Sequence, residues 1–466
     1  MEKSLNNANA VLGALKPSKA VVKLAVPATL ALLAKAVYNI VDTAYIGMLH
    51  SDSALAAVGV TLPILLIMVS VENIFSAGAA VLAGRFLGAG KNDEANTVVT
   101  DIFALSVAIG IVLCIGGVIF MEPLLCTFGA SAEVLPEAKE YAFWMFIAAL
   151  ANLPAQCMNS AARAESSARI SSIAVVTGAA LNVVLDPVFM FDWGLGMGVE
   201  GASLATTVSQ FITFFILMSF YFGGHSFIKI KPKYFRPSMN ILKTVTMIGI
   251  PSAVIQICLS VATSLTNIAA KSMPDADLII AAYGVVQRLI LIGCYVIMGF
   301  MQGYQPVAAY SFGAKDNDRF HETVRFALKG SILLSIIVTL VYTVLSRQMI
   351  GLFNQNPAII TYGARLLGSQ AVLYAAFGLC YMMTITFQTI GDSGYGLFLS
   401  TIRQGLFYVP AILLLPRLLG INGIYLSQPA ADVLTILVCI LSIKKMKSTA
   451  SRKMEEQTGG YGAENK

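Results

Sequence analysis

The feature that most constrains this chain is a succession of twelve long apolar runs. They lie at about 20–49, 54–83, 97–121, 141–162, 170–191 and 201–223, and then at about 245–270, 278–309, 328–346, 366–390, 396–416 and 422–443. Each is close to or above the roughly 20 residues with which an α-helix crosses the hydrocarbon core of a bilayer. Backbone polar groups find no water there, so runs of this length must pair them internally, as helices. Charge agrees: 12% of the 466 residues are charged and 57% are hydrophobic, against about 25% charged in soluble proteins. A soluble globule, a disordered chain and a disulfide scaffold are excluded. A β-barrel would need short alternating strands instead of continuous runs. The expected fold class is an all-α polytopic membrane protein with twelve transmembrane helices. No short apolar leader with a cleavage site precedes the first run, so that run is expected to insert as itself. The seven cysteines, at 114, 126, 157, 258, 294, 380 and 439, have no metal spacing and read as small packing residues.

Counting Lys and Arg by loop sets the orientation. With the N-terminus inside, 23 of them fall on the inner side and 5 on the outer. Lys35, Arg288 and Arg403 remain within runs. Such a bias places both termini in the cytoplasm of a multi-pass protein of the plasma (inner) membrane. The expected organisation is a cytoplasmic segment 1–19, an N-lobe 20–223, a cytoplasmic basic linker 224–244, a C-lobe 245–443 and a cytoplasmic tail 444–466.

The two halves repeat. "AVP" at 25–27 aligns with "GIP" at 249–251, and "RFLGAGKNDEA" at 85–95 with "SFGAKDNDRF" at 311–320. "CTFGASAEV" at 126–134 resembles "GLFNQNPAI" at 351–359, and "GLGMGVEGASL" at 194–204 resembles "LLGINGIYL" at 418–426. One offset, about 222–225 residues, serves all four. Six helices separate the repeats, so both start on the same side. They are parallel repeats about a pseudo-two-fold axis along the membrane normal, an arrangement of secondary transporters with a site near the midplane.

Ionisable residues inside the membrane cost about 2.5–3.5 kcal/mol or more each and are functional candidates by default. They are Lys35, Asp42, Glu72, Asp186, Arg288, Arg403 and Asp432. Asp42 is either a solvated acid near the outer end of the first helix or a desolvated carboxylate that loads and releases a cation. Asn182 and Asp186, four apart, share a helix face. Either Asp186-Pro187 ends the helix, or the pair joins Asp42 in a polar cluster. Two carboxylates so placed could share a proton, or with the amide oxygen hold Na+ as a metal ligand set. Lys35 lies two turns before Asp42. It either pairs with Glu72 or snorkels inward, and if it reached Asp42 it would count against proton coupling. Glu72 either neutralises Lys35 or binds a cationic substrate. Glu165 falls in an inner loop with Arg163 and Arg169. Arg288 and Asp432 suit a structural charge network. The second lobe's seventh and tenth helices offer Gln256, Asn267, Thr384, Thr386 and Gln388 but no acid. Met301, Tyr304, Met382, Met383 and Phe387 could line an adaptable cavity or simply pack.

The chain resembles the MATE family (multidrug and toxic compound extrusion), near its MepA-like and DinF-like branch, over nearly its whole length. The resemblance is carried by "VYNIVDTAYIG" at 37–47, "LNVVLDPVFMF" at 181–191, "GLGMGVEGASLAT" at 194–206, "QPVAAYSFGAK" at 305–315 and "LSQPAADVLT" at 426–435. It implies two six-helix lobes in a V. It also implies antiport, with cationic or amphiphilic organic compounds exported in exchange for H+ or Na+. It carries the coupling role to Asp42, Asn182 and Asp186, whose pattern matches the family's N-lobe cation site. No cofactor is expected beyond the coupling ion. The partners expected are drug-like organic cations and membrane lipids, not nucleic acid, for a monomer. A lipid-linked precursor flippase is the alternative, short of cations for a pyrophosphate. An intramembrane enzyme is disfavoured because no HExxH, GxSxG or Walker A motif is present.

Overall fold

The computed structural model describes residues 9–49 and 51–459. His50, the first eight residues with Lys3, and residues 460–466 with Lys466 lie outside the described residues. The chain folds as α1 Pro17–Met48, α2 Asp52–Gly88, α3 Asn92–Ile119, α4 Leu135–Ala164, α5 Ala168–Met190 and α6 Gly198–Phe222 in the first lobe. The second lobe holds α7 Met239–Lys271, α8 Ala276–Gly313, α9 Asn317–Val344, the half-helices α10 Pro357–Ala371 and α11 Ala375–Ile390, α12 Ser393–Leu419 and α13 Ile421–Gly459. Among the described residues, eleven helices are long and apolar enough to cross a membrane, and α10 with α11 makes a twelfth crossing bent by 46°. Start and stop chemistry is local. Ser51, Asp316 and Asn356 accept hydrogen bonds from the first-turn N–H groups of α2, α9 and α10, which have no partner within the helix.

Three details depart from the expected runs. The tenth run, read as continuous over 366–390, is broken at 372–374. There Tyr374 turns inward and donates to Ile290 O at 3.0 Å. The eleventh contains a π-helical stretch, Ile402–Phe407. Pro410 follows it and cannot donate to the preceding turn, which loosens the ladder at that point. The last helix runs to Gly459 instead of stopping near 443, as a polar helical extension of the final span. The linker is shorter than 224–244, because α7 already starts at Met239.

Glycine lets the lobes meet. A Cβ on Gly78 or Gly249 would strike the backbone of Val245 or Ile74, joining α2 to α7. Gly299 and Gly303 of α8 admit Thr29 and Ala25 of α1 in the same way, and Gly88 and Gly313 admit Tyr310 and Arg85. Small residues at helix contacts allow close backbone approach where lipid supplies no hydrophobic drive. All six contacts lie towards one end, formed by the first half of α1, the second halves of α2 and α8, and the first half of α7. The chain enters at this end. Large apolar side chains such as Val112, Ile119, Leu340 and Leu441 are exposed around the bundle, as lipid-facing residues are.

At the same end the linker is tied to the first lobe. Glu165 Oε2 accepts from Ser226 Oγ at 2.8 Å and from Ile228 N at 2.7 Å. Asn96 Oδ1 accepts from Lys229 N at 2.8 Å and Asp101 Oδ1 from Arg236 N at 2.9 Å. Burial pushes the Glu165 carboxyl, which lies in the loop between α4 and α5, up to about 8, although the linker's donors oppose the shift. A folded value above the unfolded one means the attachment is strongest below the unfolded value and weakens as pH rises towards 8. Hydrogen exchange of residues 225–236, corrected for intrinsic rate, is expected to quicken severalfold between pH 6 and pH 8.5. Glu165→Gln, which keeps a neutral side chain, should remove that dependence. An unchanged pH profile in the variant would refute it.

Candidate functional site

The first lobe holds a polar cluster between α1, α5 and α6. Asn182 and Asp186 are buried one turn apart on α5. Asn182 Nδ2 donates to Asp186 Oδ1 at 2.9 Å and to Thr206 Oγ1 on α6 at 3.1 Å. Asp42 of α1 is half-buried, and its charge reaches both Asp186 and Tyr141 of α4. Two oxygens of the cluster, Asn182 Oδ1 and Asp186 Oδ2, are buried without a hydrogen-bond partner. An unsatisfied buried acceptor costs about 1–3 kcal/mol. A proton on Asp186 or a hard cation among these oxygens would remove the cost. Among the described residues, no three His, Cys, Asp or Glu side chains converge as a metal site. A cation here would therefore rest on two carboxylates and an amide.

Lys35 does not form the expected ion pair. Among the described residues the ion pairs are Lys91–Glu94, Lys139–Glu122, Arg403–Asp432 and Arg452–Glu456. Glu72 is buried and accepts instead from Asn152 Nδ2. Its charge reaches Lys35 without contact. The ammonium of Lys35 lines a cavity of about 80 Å3 shared with Asn152, Gln156, Asn182 and Gln210. Arg163, read from sequence as an inner-loop cation, is in the last turn of α4 and lines the same cavity.

In the second lobe, Arg288 is exposed and takes no part in a network with Asp432. Arg403 is the partner. Its Nε donates to Asp432 Oδ1 at 2.8 Å, Gln428 Nε2 donates to the same oxygen at 2.8 Å, and the guanidinium lies over Phe377. The π-helical stretch carries Arg403 into this position. Met301, Met382, Met383, Tyr304 and Phe387 are fully buried and are on the wall of neither the first-lobe cavity nor the one in the second lobe. Tyr304 OH and Thr386 Oγ1, 2.7 Å apart, join α8 to α11 through this packed layer. Gln256 is half-buried on α7, off the cavity that forms nearby. That cavity, about 100 Å3, is walled by Tyr283, Tyr374, Phe377, Tyr381 and Tyr408 with Arg403 at one side. These aromatic residues lie on three helices and on the break at 372–374, so no local pattern marks them.

Between the lobes, Arg85 at the end of α2 donates through Nε to Thr389 O at 2.7 Å and through Nη2 to Gln388 O at 2.9 Å. These are C-terminal carbonyls of α11, whose last turn closes at Gly391 with φ 74°. A cation suits the negative end of the helix dipole. Lys453 Nζ adds a bond to Gly391 O at 2.7 Å.

Comparison with known proteins agrees with this architecture. Curated relatives include the multidrug export protein MepA of Staphylococcus aureus (strain bovine RF122 / ET3-1), 24% identical over 425 residues, covering 91% of this chain and 93% of the relative. MepA of Staphylococcus saprophyticus is also 24% identical, over 427 residues, with the same coverage. Among solved structures, a MATE in complex with MaL6 superposes with a TM-score of 0.90 at 24% identity, covering 96% of this chain and 99% of that one. An outward-facing multidrug resistance MATE family transporter of the MOP superfamily gives 0.90 at 24% identity, covering 95% and 98%. The fold is thus a two-lobe V, its lobes joined at the glycine-packed end. A family model described as MatE matches twice, over residues 27–188 and 251–413, starting at Pro27 and Pro251 and so following the internal repeat. With both repeats matched over well beyond half its length, the chain belongs to the MatE family.

Proposed function

We propose that this protein is a secondary active antiporter that exports cationic or amphiphilic organic compounds in exchange for H+ or Na+ by alternating access. Family membership and the export function named for the MepA relatives support the transport reading. The observation that carries the coupling is the pair of unpartnered oxygens on Asn182 and Asp186, beside Asp42. In this reading the ion binds where these acceptors lack donors. A bound ion drives a change only by favouring one state over another, and α1, which brings Asp42 to the cluster and carries Pro27 near the interlobe contact, is the element it biases.

The bias of Lys and Arg puts residues 1–19, 224–244 and 444–466 in the cytoplasm of the plasma (inner) membrane. The glycine-packed end is then cytoplasmic, and the V opens outward. Arg85 on the carbonyls of α11 strengthens that closure. The protein acts as a monomer, with both lobes in one chain.

The test is ethidium efflux from vesicles carrying the purified protein, driven separately by a pH gradient and by a Na+ gradient. Efflux under one gradient alone identifies the ion. Efflux under neither, for ethidium and for a zwitterionic dye alike, rejects the antiport reading and makes translocation of a lipid-linked precursor the next assay.

A further inference from the structure

The cavity in the first lobe has the wrong electrostatics for a simple organic cation. Lys35 enters it from α1 and Arg163 from α4. No carboxylate lies on its wall, which is otherwise made of amides, hydroxyls and small apolar groups. Among the described residues, neither cation has a carboxylate in contact. Arg163 donates only to hydroxyls, from Nη2 to Ser160 Oγ at 2.8 Å and from Nη1 to Ser171 Oγ at 3.3 Å. Glu72, whose charge reaches Lys35, is held behind Asn152 and off the wall. Two cations facing a polar cavity within a membrane domain are costly unless something negative joins them. A guanidinium and an ammonium together offer both forked and point-charge donors to a carboxylate or phosphate.

Size narrows the ligand further. About 80 Å3 is well below the roughly 300–1,000 Å3 of pockets that enclose a drug-sized molecule. A small charged head group fits, and an organic body does not. We propose that the cavity between Lys35 and Arg163 takes the anionic head group, a carboxylate or phosphate, of an amphiphile whose apolar body stays outside it. The preferred cargo is then zwitterionic or anionic, not a bare cation. This deepens the transport reading and rests on it only in treating the ligand as cargo.

A matched dye pair tests the head group directly. Rhodamine B carries a free carboxylate, and its ethyl ester is the same dye without it. Fluorescence anisotropy with the full-length protein in phosphatidylcholine nanodiscs should show the acid binding at least about tenfold tighter than the ester. Lys35→Gln and Arg163→Gln should each remove about that tenfold while leaving the ester unchanged. Lys35→Arg and Arg163→Lys should keep the preference. Equal losses for both dyes in variants that elute as monodisperse protein would overturn the proposal, as would no loss for either. Inorganic phosphate that displaces the acid at concentrations no higher than the dye's own Kd would also overturn it, by assigning the cavity to a free anion. Replacing part of the lipid with phosphatidylglycerol separates two sources of the head group. Weakened acid binding there points to a membrane lipid, and unchanged binding to a compound from water. Dye discrimination without gradient-driven efflux of either ethidium or rhodamine B would reject transport and keep the cavity assignment. Efflux without discrimination would do the reverse.

Discussion

Asp42→Asn is expected to reduce gradient-driven ethidium efflux to the level of protein-free vesicles while leaving dye binding measurable. Asparagine keeps the size of the side chain and removes the group that can change charge. Asp42 is half-buried, so it stays within reach of ions from the open side. Its charge also reaches Asp186, whose second oxygen has no partner. In the proposed site the two acids act as one loading unit. Asp186→Asn should therefore be as severe, and the double variant no worse than either single one. That non-additivity separates a shared site from two independent contributions. Coupled efflux retained in Asp42→Asn would remove the carboxylate from the mechanism.

Asp432→Ala is expected to destabilise the second lobe by about 3–5 kcal/mol, the cost of leaving a buried partner unpaired. Asp432 is fully buried, the Arg403 side chain is 12% exposed, and the two share a 2.8 Å contact. Removing the acid strands a guanidinium among tyrosines with Gln428 as its polar neighbour. The double variant Arg403→Met/Asp432→Leu should recover most of the loss, because an apolar pair of similar volume carries no desolvation cost. Thermal unfolding in detergent reads both. Equal midpoints for the single and double variants would show that the pair does not carry the lobe's stability.

The succession of spans was legible because each run excludes charge over a bilayer's width, and the pseudo-symmetry because four motifs share one offset. The break at 372–374 was not. It contains no Pro, Gly or charge, and it arises where a tyrosine finds partners on a distant helix. The pairing of Asn182 with Asp186 followed from helical spacing alone. Arg163 escaped because charge counting assigns a cation at a helix end to the loop, whereas its long side chain extends back along the helix into the cavity. The methionines were left open between two readings for the opposite reason. Composition cannot tell a residue that lines a cavity from one that fills a core, and Met301 and Met382 fill it.

The tied linker has a mechanical consequence. Between Arg236, held by Asp101, and the start of α7 at Met239, only Pro237 and Ser238 are without an anchor on either lobe. Extended chain reaches at most about 3.3–3.6 Å per residue, so while its anchors hold this tether spans no more than roughly 10 Å in total. A segment that looks like slack rope is a short strap, and in the proposed alternating-access cycle its length, not the span of the bundle, sets how far this end can part. Each anchor released along the strap lengthens it by the residues it frees, which in the proposed cycle makes Glu165 a setting on the amplitude of the lobes' motion.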